Sequence, residues 1–196
     1  MTTLYGDEGQ ISANLKILRE AFAAVGGLVI TEHELPKDKP SPLGHFAMNQ
    51  KGKLNLHEFG IYNYRGGGGS AWFSPALPAR GEDMIRSIKL CEQVYSEFGF
   101  DYIGGFIFGY SGRHVDHITD LLFDRSNPEE MKRANSCFEK LLKVHAEAGY
   151  APYRINTGFM KQVAQLYGPG QMKLNKRIKK ALDPNGILAP GKSGIY

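Results

Sequence analysis

The chain has 196 residues, 42% hydrophobic and 22% charged, with 24 Lys and Arg against 20 Asp and Glu for a net charge of +4. That length suits one domain with a proper core, or a domain and a structured extension, and the composition excludes a disordered chain. Cys91 and Cys137 are too few for a disulfide framework, no apolar run is long enough to span a membrane, and no basic run is dense enough to track nucleic acid.

The first residues, Met1-Thr2-Thr3-Leu4-Tyr5, have neither the basic start nor the apolar stretch of a signal peptide. A soluble, cytoplasmic chain is expected, with any targeting signal on a segment preceding this one. Ile11, Leu15, Leu18, Phe22 and Val25 make one helical stripe, closed by Gly26-Gly27. Residues 28–31 then read as a short buried strand, and 35–53, with Pro36, Pro40 and Pro42, as an irregular surface connection. Gly66 to Gly69 form a glycine run before Ser70-Ala71-Trp72-Phe73-Ser74-Pro75. Such a run permits close backbone approach to something flat or bulky, or a simple turn into a strand at 72–75. It is not a P-loop, because no Gly-Lys-Ser/Thr follows.

The middle of the chain is more regular. Residues 82–98 are predicted as a helix with Met84, Ile85, Ile88, Cys91, Tyr95 and Phe98 inward, stopped by Gly99. Residues 102–110 and 113–124 read as strands joined by a hairpin turn at 109–112. Asn127-Pro128 with Glu129 and Glu130 opens a second helix, which buries Met131, Ala134, Phe138, Leu141 and Leu142 and stops at Gly149. Strand, helix, strand, strand, helix is a ferredoxin-like order, so the expected class is α+β, an antiparallel sheet with helices on one face. Helices follow near 158–167 and 171–182, and the tail from Asp183 to Gly191 is a string of turns. Lys173, Lys176, Arg177, Lys179 and Lys180 crowd one short helix, a solvated face or a contact for an acidic partner or cofactor phosphate.

Few side chains suggest chemistry. In the strand from residue 113, Asp116, Asp120 and Asp124 fall on one face and are expected to meet water. Val115, His117, Thr119, Leu121 and Phe123 fall on the other. His117 is therefore expected among apolar neighbours, where a hydrogen-bonded core imidazole is the commoner outcome; His114 sits near the hairpin. No Cys/His spacing fits a metal site and no serine stands in a nucleophile elbow. Tyr153-Arg154, after Pro152, could hydrogen-bond and neutralise an anionic oxygen, although adjacent Tyr and Arg also occur by chance.

The tail Leu182-Asp183-Pro184-Asn185-Gly186-Ile187-Leu188-Ala189-Pro190-Gly191-Lys192-Ser193-Gly194-Ile195 resembles the C-terminus of the vanillyl-alcohol oxidase and p-cresol methylhydroxylase flavoprotein family. Tyr153-Arg154 with Phe159-Met160-Lys161-Gln162, the Gly67–Pro75 stretch and His117-Ile118 are similar to further parts of that family. The resemblance implies an FAD-linked oxidase cap with a C-terminal helical extension. It implies hydride removal from the benzylic carbon of a para-substituted phenol to flavin N5, through a p-quinone methide. Tyr153 and Arg154 are then the catalytic candidates at the phenolate oxygen, and His117 the candidate for holding FAD, in some members covalently. Residues 1–65 would lead into the cap, 66–150 would be its core, and 151–196 would dock on an FAD-binding domain absent from this chain. Implied partners are the phenolic substrate, that FAD domain in cis or in trans, a second copy of the chain and a cytochrome c subunit. Nucleic acid and membrane are not. The alternatives are a non-catalytic ferredoxin-like binding module, or the cap of an FAD-linked hydroxy-acid or lactone oxidase.

Overall fold

The computed structural model describes residues 2–35, 48–49, 51–53, 56–64, 66–109 and 112–195. Most of the proline-rich connection and the centre of the 109–112 turn lie outside them. The chain divides into two compact units, Met1–Ile61 and Tyr62–Tyr196.

In the first unit, helix α1 spans Glu8–Ala23. It starts earlier than the apolar stripe suggests because Asp7 and Gln10 form a capping box: the Gln10 N–H donates to the Asp7 carboxylate (2.9 Å), and the Asp7 N–H to the Gln10 side chain (3.1 Å). The strand expected at 28–31 does not form. Leu28 and Ile30 are exposed, and the chain turns instead into a 3₁₀ segment, Glu32–Glu34. Apolar, β-prone residues need a neighbouring strand to complete the ladder, and the described residues of this unit contain none. Ion pairs from Arg19 to Glu34 (2.8 Å) and Lys51 to Glu32 (2.6 Å) tie the unit together.

The second unit carries the sheet. Its elements are β1 (Gly68–Phe73), β2 (Pro75–Pro78), α2 (Gly81–Glu97), β3 (Gly104–Phe108), β4 (His114–Asp124), α3 (Pro128–Glu147), β5 (Ala151–Pro152), α4 (Met160–Ala164) and α5 (Pro169–Leu182). All strand pairs are antiparallel. β1 and β2 lie on the same side of β4 and keep one register across Ser74, from Gly68 opposite Asp124 to Leu77 opposite Val115. They act as one long strand. The spatial order is therefore β3, β4, β1/β2, β5, the ferredoxin-like arrangement with α2 and α3 as the two crossovers.

Local chemistry sets these elements. The Asn127 side chain accepts from the N–H groups of Glu129 (3.1 Å) and Glu130 (3.2 Å), and Pro128 sits in the first turn of α3. Two glycines of the 66–69 run are required where the strand crosses β4: a Cβ on Gly67 would sit 2.1 Å from Asp124 Cα, and one on Gly69 2.4 Å from the Phe123 carbonyl oxygen. The close approach is thus to the sheet's own backbone.

Phe73, Leu121, Cys91, Val94, Tyr95, Cys137, Phe138 and Leu141 form the core between sheet and helices. Phe138 meets Phe73 edge-on (5.7 Å) and stacks on Phe159 (4.4 Å). Phe159 and Val163, from the C-terminal segment, complete that core. Each buried aromatic or aliphatic side chain contributes roughly 1.5–3 kcal/mol. The predicted inward stripes hold in the centres of α2 and α3 but not at their rims: Ile85 and Met131 are exposed, while Ser87 and His145 are fully buried. Both cysteines are free and buried.

Candidate functional site

The sheet has two faces with different contents. On the helix-covered face β4 places Val115, His117, Thr119 and Leu121, all fully buried, as the period of two predicts. The other face carries Ser70 and Trp72 of β1 and Asp116, Ile118 and Asp120 of β4. Its acidic residues do not simply meet water. Asp120 is only 9% exposed and accepts from the Ser70 hydroxyl at 2.6 Å. Burial raises its carboxyl above the usual range, and the Ser70 bond opposes that shift. One Asp116 carboxylate oxygen is buried without a hydrogen-bond partner.

Tyr153 and Arg154 are brought to this open face by β5. The pairing of β5 with β2 continues one step further, through a bond from the Tyr153 N–H to the Ser74 carbonyl (3.1 Å). The Arg154 guanidinium then lies over the Trp72 ring, 5.2 Å from its centroid, and 5.4 Å from that of Tyr153. Tyr62 abuts Trp72 edge-on at 6.4 Å. Arg154 makes no ion pair among the described residues, and Tyr153 is nearly half exposed. Cation–π contact with two rings positions the guanidinium, and with no ion pair among the described residues its N–H fork can meet an anionic oxygen.

His117 is on the opposite side of the sheet. Its Nδ1 lies 2.7 Å from the Ser87 hydroxyl, its Nε2 2.8 Å from the Tyr102 hydroxyl, and its ring stacks on Phe106 at 4.6 Å. Ser87 also reaches His145 Nε2 (3.1 Å), and His145 Nδ1 faces the Leu141 carbonyl at 2.9 Å. A carbonyl only accepts, so His145 Nδ1 carries the proton and its Nε2 accepts from Ser87. Ser87, having given its one proton, accepts from His117 Nδ1–H, and Tyr102 donates to His117 Nε2. Both imidazoles are neutral in this arrangement, and burial pushes each down to about 4. The structure thus brings Tyr153 and Arg154 together with Trp72 and separates them from His117 by the thickness of the sheet. Sequence reasoning missed Ser87 and His145; the four-residue step from Leu141 to His145 on an inward stripe was the available signal.

A model of FAD linked oxidases, C-terminal domain, matches residues 82–193, more than half of the chain. The chain belongs to this family. The FAD-linked oxidase domain is 45% identical over 193 residues to the 4-cresol dehydrogenase (hydroxylating) flavoprotein subunit of Pseudomonas putida, covering 98% of this chain and 36% of that protein. It is 30% identical over 129 residues to 1'-carboxy-chondrochloren decarboxylase of Chondromyces crocatus, covering 63% of this chain and 23% of that one. Among solved structures it is similar to p-cresol methylhydroxylase with substrate bound (TM-score 0.91, 45% identity, 98% of this chain and 37% of that one). It is also similar to 4-ethylphenol oxidase from Gulosibacter chungangensis in its isoeugenol complex (TM-score 0.87, 30% identity, 98% and 38%). The FAD-linked oxidase domain therefore spans less than two fifths of the length of these relatives. The antiparallel α+β sheet with its helices is the fold of that portion. No described helix is long and apolar enough to cross a membrane.

Proposed function

We propose that this chain is the substrate-facing C-terminal portion of an FAD-dependent oxidoreductase that oxidises para-substituted phenols of the 4-alkylphenol type. The observation that carries the reading is the Arg154 guanidinium, laid on the Trp72 ring beside Tyr153 with no carboxylate partner among the described residues. It is supported by the likeness to 4-cresol dehydrogenase and 4-ethylphenol oxidase.

The outer sheet face presents the Trp72 and Tyr153 rings with Arg154 over them, but the described residues offer no cradle for a pyrophosphate. Gly67 and Gly69, from the glycine run at 66–69, are packed against β4. FAD would therefore be held chiefly by an FAD-binding domain, in cis or in trans. FAD, when bound, accepts the hydride released from the benzylic carbon. This chain's part is at the other end of the substrate. Arg154 supplies a fixed positive charge at the phenolate oxygen, and Tyr153 donates a hydrogen bond to it. Binding the ring as phenolate makes it electron-rich, so it stabilises the developing p-quinone methide as the hydride leaves. The electrons would pass on to a partner subunit, for which a cytochrome c is the proposed class. Attachment of flavin at His117 would require breaking its bonds to both Ser87 and Tyr102 and opening the helix-covered face. We therefore assign His117 to the fold and leave the flavin to the open face.

With the chain assembled with an FAD-binding domain, Arg154→Ala should slow anaerobic flavin reduction by a 4-alkylphenol about a hundred- to a thousand-fold, the cost of one lost preorganised donor. Tyr153→Phe should cost less and raise the apparent pKa of the bound phenol, because a donor to its charged form is gone. Stopped-flow reduction across pH measures both. Rates within about twofold of wild type in the Arg154 variant would make the pair structural and sink the assignment.

A further inference from the structure

β5 delivers Tyr153 and Arg154 to the open face, yet its own pairing is slight. It is two residues long, lies at the edge of the sheet and pairs with β2 alone. Where Pro75 faces Pro152, neither residue has an N–H to give. The pairing runs on only through the Tyr153 N–H to the Ser74 carbonyl. So short a ladder fixes little by itself.

The residue before β5 is held far more firmly. Tyr150 is 5% exposed and packs with Leu77 and Val115. Its N–H donates to the His145 carbonyl at 2.8 Å, and its hydroxyl donates to Asp83 Oδ1 at 2.6 Å. Asp83 belongs to the first turn of α2, and its other oxygen accepts from Arg80 Nε, also at 2.6 Å. Both carboxylate oxygens are thus taken by side chains. The bond from Tyr150 first, and that from Arg80 after it, hold the Asp83 carboxyl below its usual range, so the link is charge-assisted at neutral pH. The positive end of α2 would favour an exposed aspartate equally well. Asp83 is instead 7% exposed and bonded across to the residue that precedes β5.

We propose that Asp83 is a positioning residue for Tyr153 and Arg154: through the Tyr150 hydroxyl it fixes where β5 begins, and so where Arg154 meets Trp72. All of these residues lie within the second unit. The effect on geometry stands by itself, whereas the effect on turnover rests on the phenol reading above.

The test uses the purified chain and the emission of Trp72, its only tryptophan. Arg154→Ala removes the cation from the Trp72 ring and defines the spectral change to be matched. Tyr150→Phe keeps the buried ring and should reproduce at least about half of that change. Hydrogen exchange of the Tyr153 amide should quicken at least about tenfold in this variant, while the amides of β4 stay within about twofold of wild type. Asp83→Asn leaves an uncharged acceptor and should quicken Tyr153 exchange less. Added to Tyr150→Phe it should change that exchange by less than about twofold, because both substitutions act through one bond. Val94→Ala, which opens a cavity in the core away from Tyr150, should lower the melting temperature without moving Trp72 emission. With an FAD-binding domain present, Tyr150→Phe should slow flavin reduction by a 4-alkylphenol about tenfold, less than Arg154→Ala does. Unchanged reduction in Arg154→Ala would sink the phenol reading and leave the geometric result standing. Wild-type emission or Tyr153 exchange in Tyr150→Phe, equal quickening in β4, or additive losses in the double variant would overturn the proposal. So would an Arg154→Ala spectrum identical to wild type, or wild-type reduction in Tyr150→Phe where Arg154→Ala is slow.

Discussion

Ser87 has one hydroxyl proton and two imidazole neighbours, and that scarcity orders a whole line of donors from Tyr102 through His117 and Ser87 to His145 and the Leu141 carbonyl. An added proton on His145 sets its Nε2–H against the Ser87 hydroxyl that already accepts from His117, and one on His117 sets its Nε2–H against the Tyr102 hydroxyl that had been donating to it. Burial is the main reason both rings are held down to about 4; the nearby His145 adds to it at His117, while the bonds to Leu141 and Ser87 oppose it at His145. The sign follows: the unfolded chain takes up these protons first, as pH falls from about 6.5, while the folded chain resists until about 4. Their contribution is present above about pH 6.5 and is lost on the way down, by up to about 1.4 kcal/mol per pH unit for each ring. Urea titrations between pH 7 and 4.5 should show stability falling toward acid, and His145→Gln should flatten that slope while lowering stability at pH 7. An unchanged slope would place the proton uptake elsewhere. At this scale the sequence was partly legible. Strand parity put His117 on the inner face, but a period of two cannot reveal that a serine from a helix 30 residues earlier meets its ring.

Among the elements, the C-terminal tail is held by one carboxylate. Asp183 accepts from the N–H groups of Ile187 and Leu188, both at 2.9 Å, and from Lys179. The Lys179 ammonium first, and the backbone donors after it, hold the Asp183 carboxyl down at about 2. This anchoring is present above about pH 3.8 and disappears as pH falls toward 2. Asp183→Asn removes the charge but keeps the shape, so the tail should loosen while the sheet stays. Tryptic cleavage after Lys192 should quicken several-fold with little change in the melting temperature. A large drop in that temperature would mean the tail is part of the cooperative core. The Asp-Pro-Asn-Gly string read correctly as turns, because those residues carry turn chemistry in themselves. Residues 28–31 did not read correctly. Three apolar residues and a threonine specify a strand only in the presence of another strand, and nothing local says that one is missing.

At the scale of the whole molecule, the second unit contains its own sheet, its own helices and a core closed by Phe159 and Val163. Its fold was legible because the order of elements, and the spacing of their apolar residues, admit few antiparallel arrangements. The candidate site was legible only in part: Tyr153 and Arg154 stood out as a pair, but Trp72, over which Arg154 lies, is some eighty residues away in sequence and is brought close only by the β5 pairing. On the proposed reading the chain faces the flavin without cradling its phosphates, so it should be colourless when purified alone, with FAD binding too weak to survive gel filtration. A yellow preparation with near-stoichiometric flavin would contradict that.

The unbroken alignment of β1 and β2 against β4 also governs how this portion of the molecule can vary. Substitutions along 68–78 act one position at a time, but a single added residue at Ser74 would turn every later side chain of β2 to the opposite face. Leu77 would leave the core, and Pro75, now opposite Pro152, would be displaced from β5 and so drag the Tyr153-Arg154 junction with it. Length change should therefore be tolerated at the Arg125–Ser126 turn and rejected within the strand. A one-glycine insertion scan read by thermal unfolding would draw that boundary, and tolerance at Ser74 equal to that at Ser126 would contradict it.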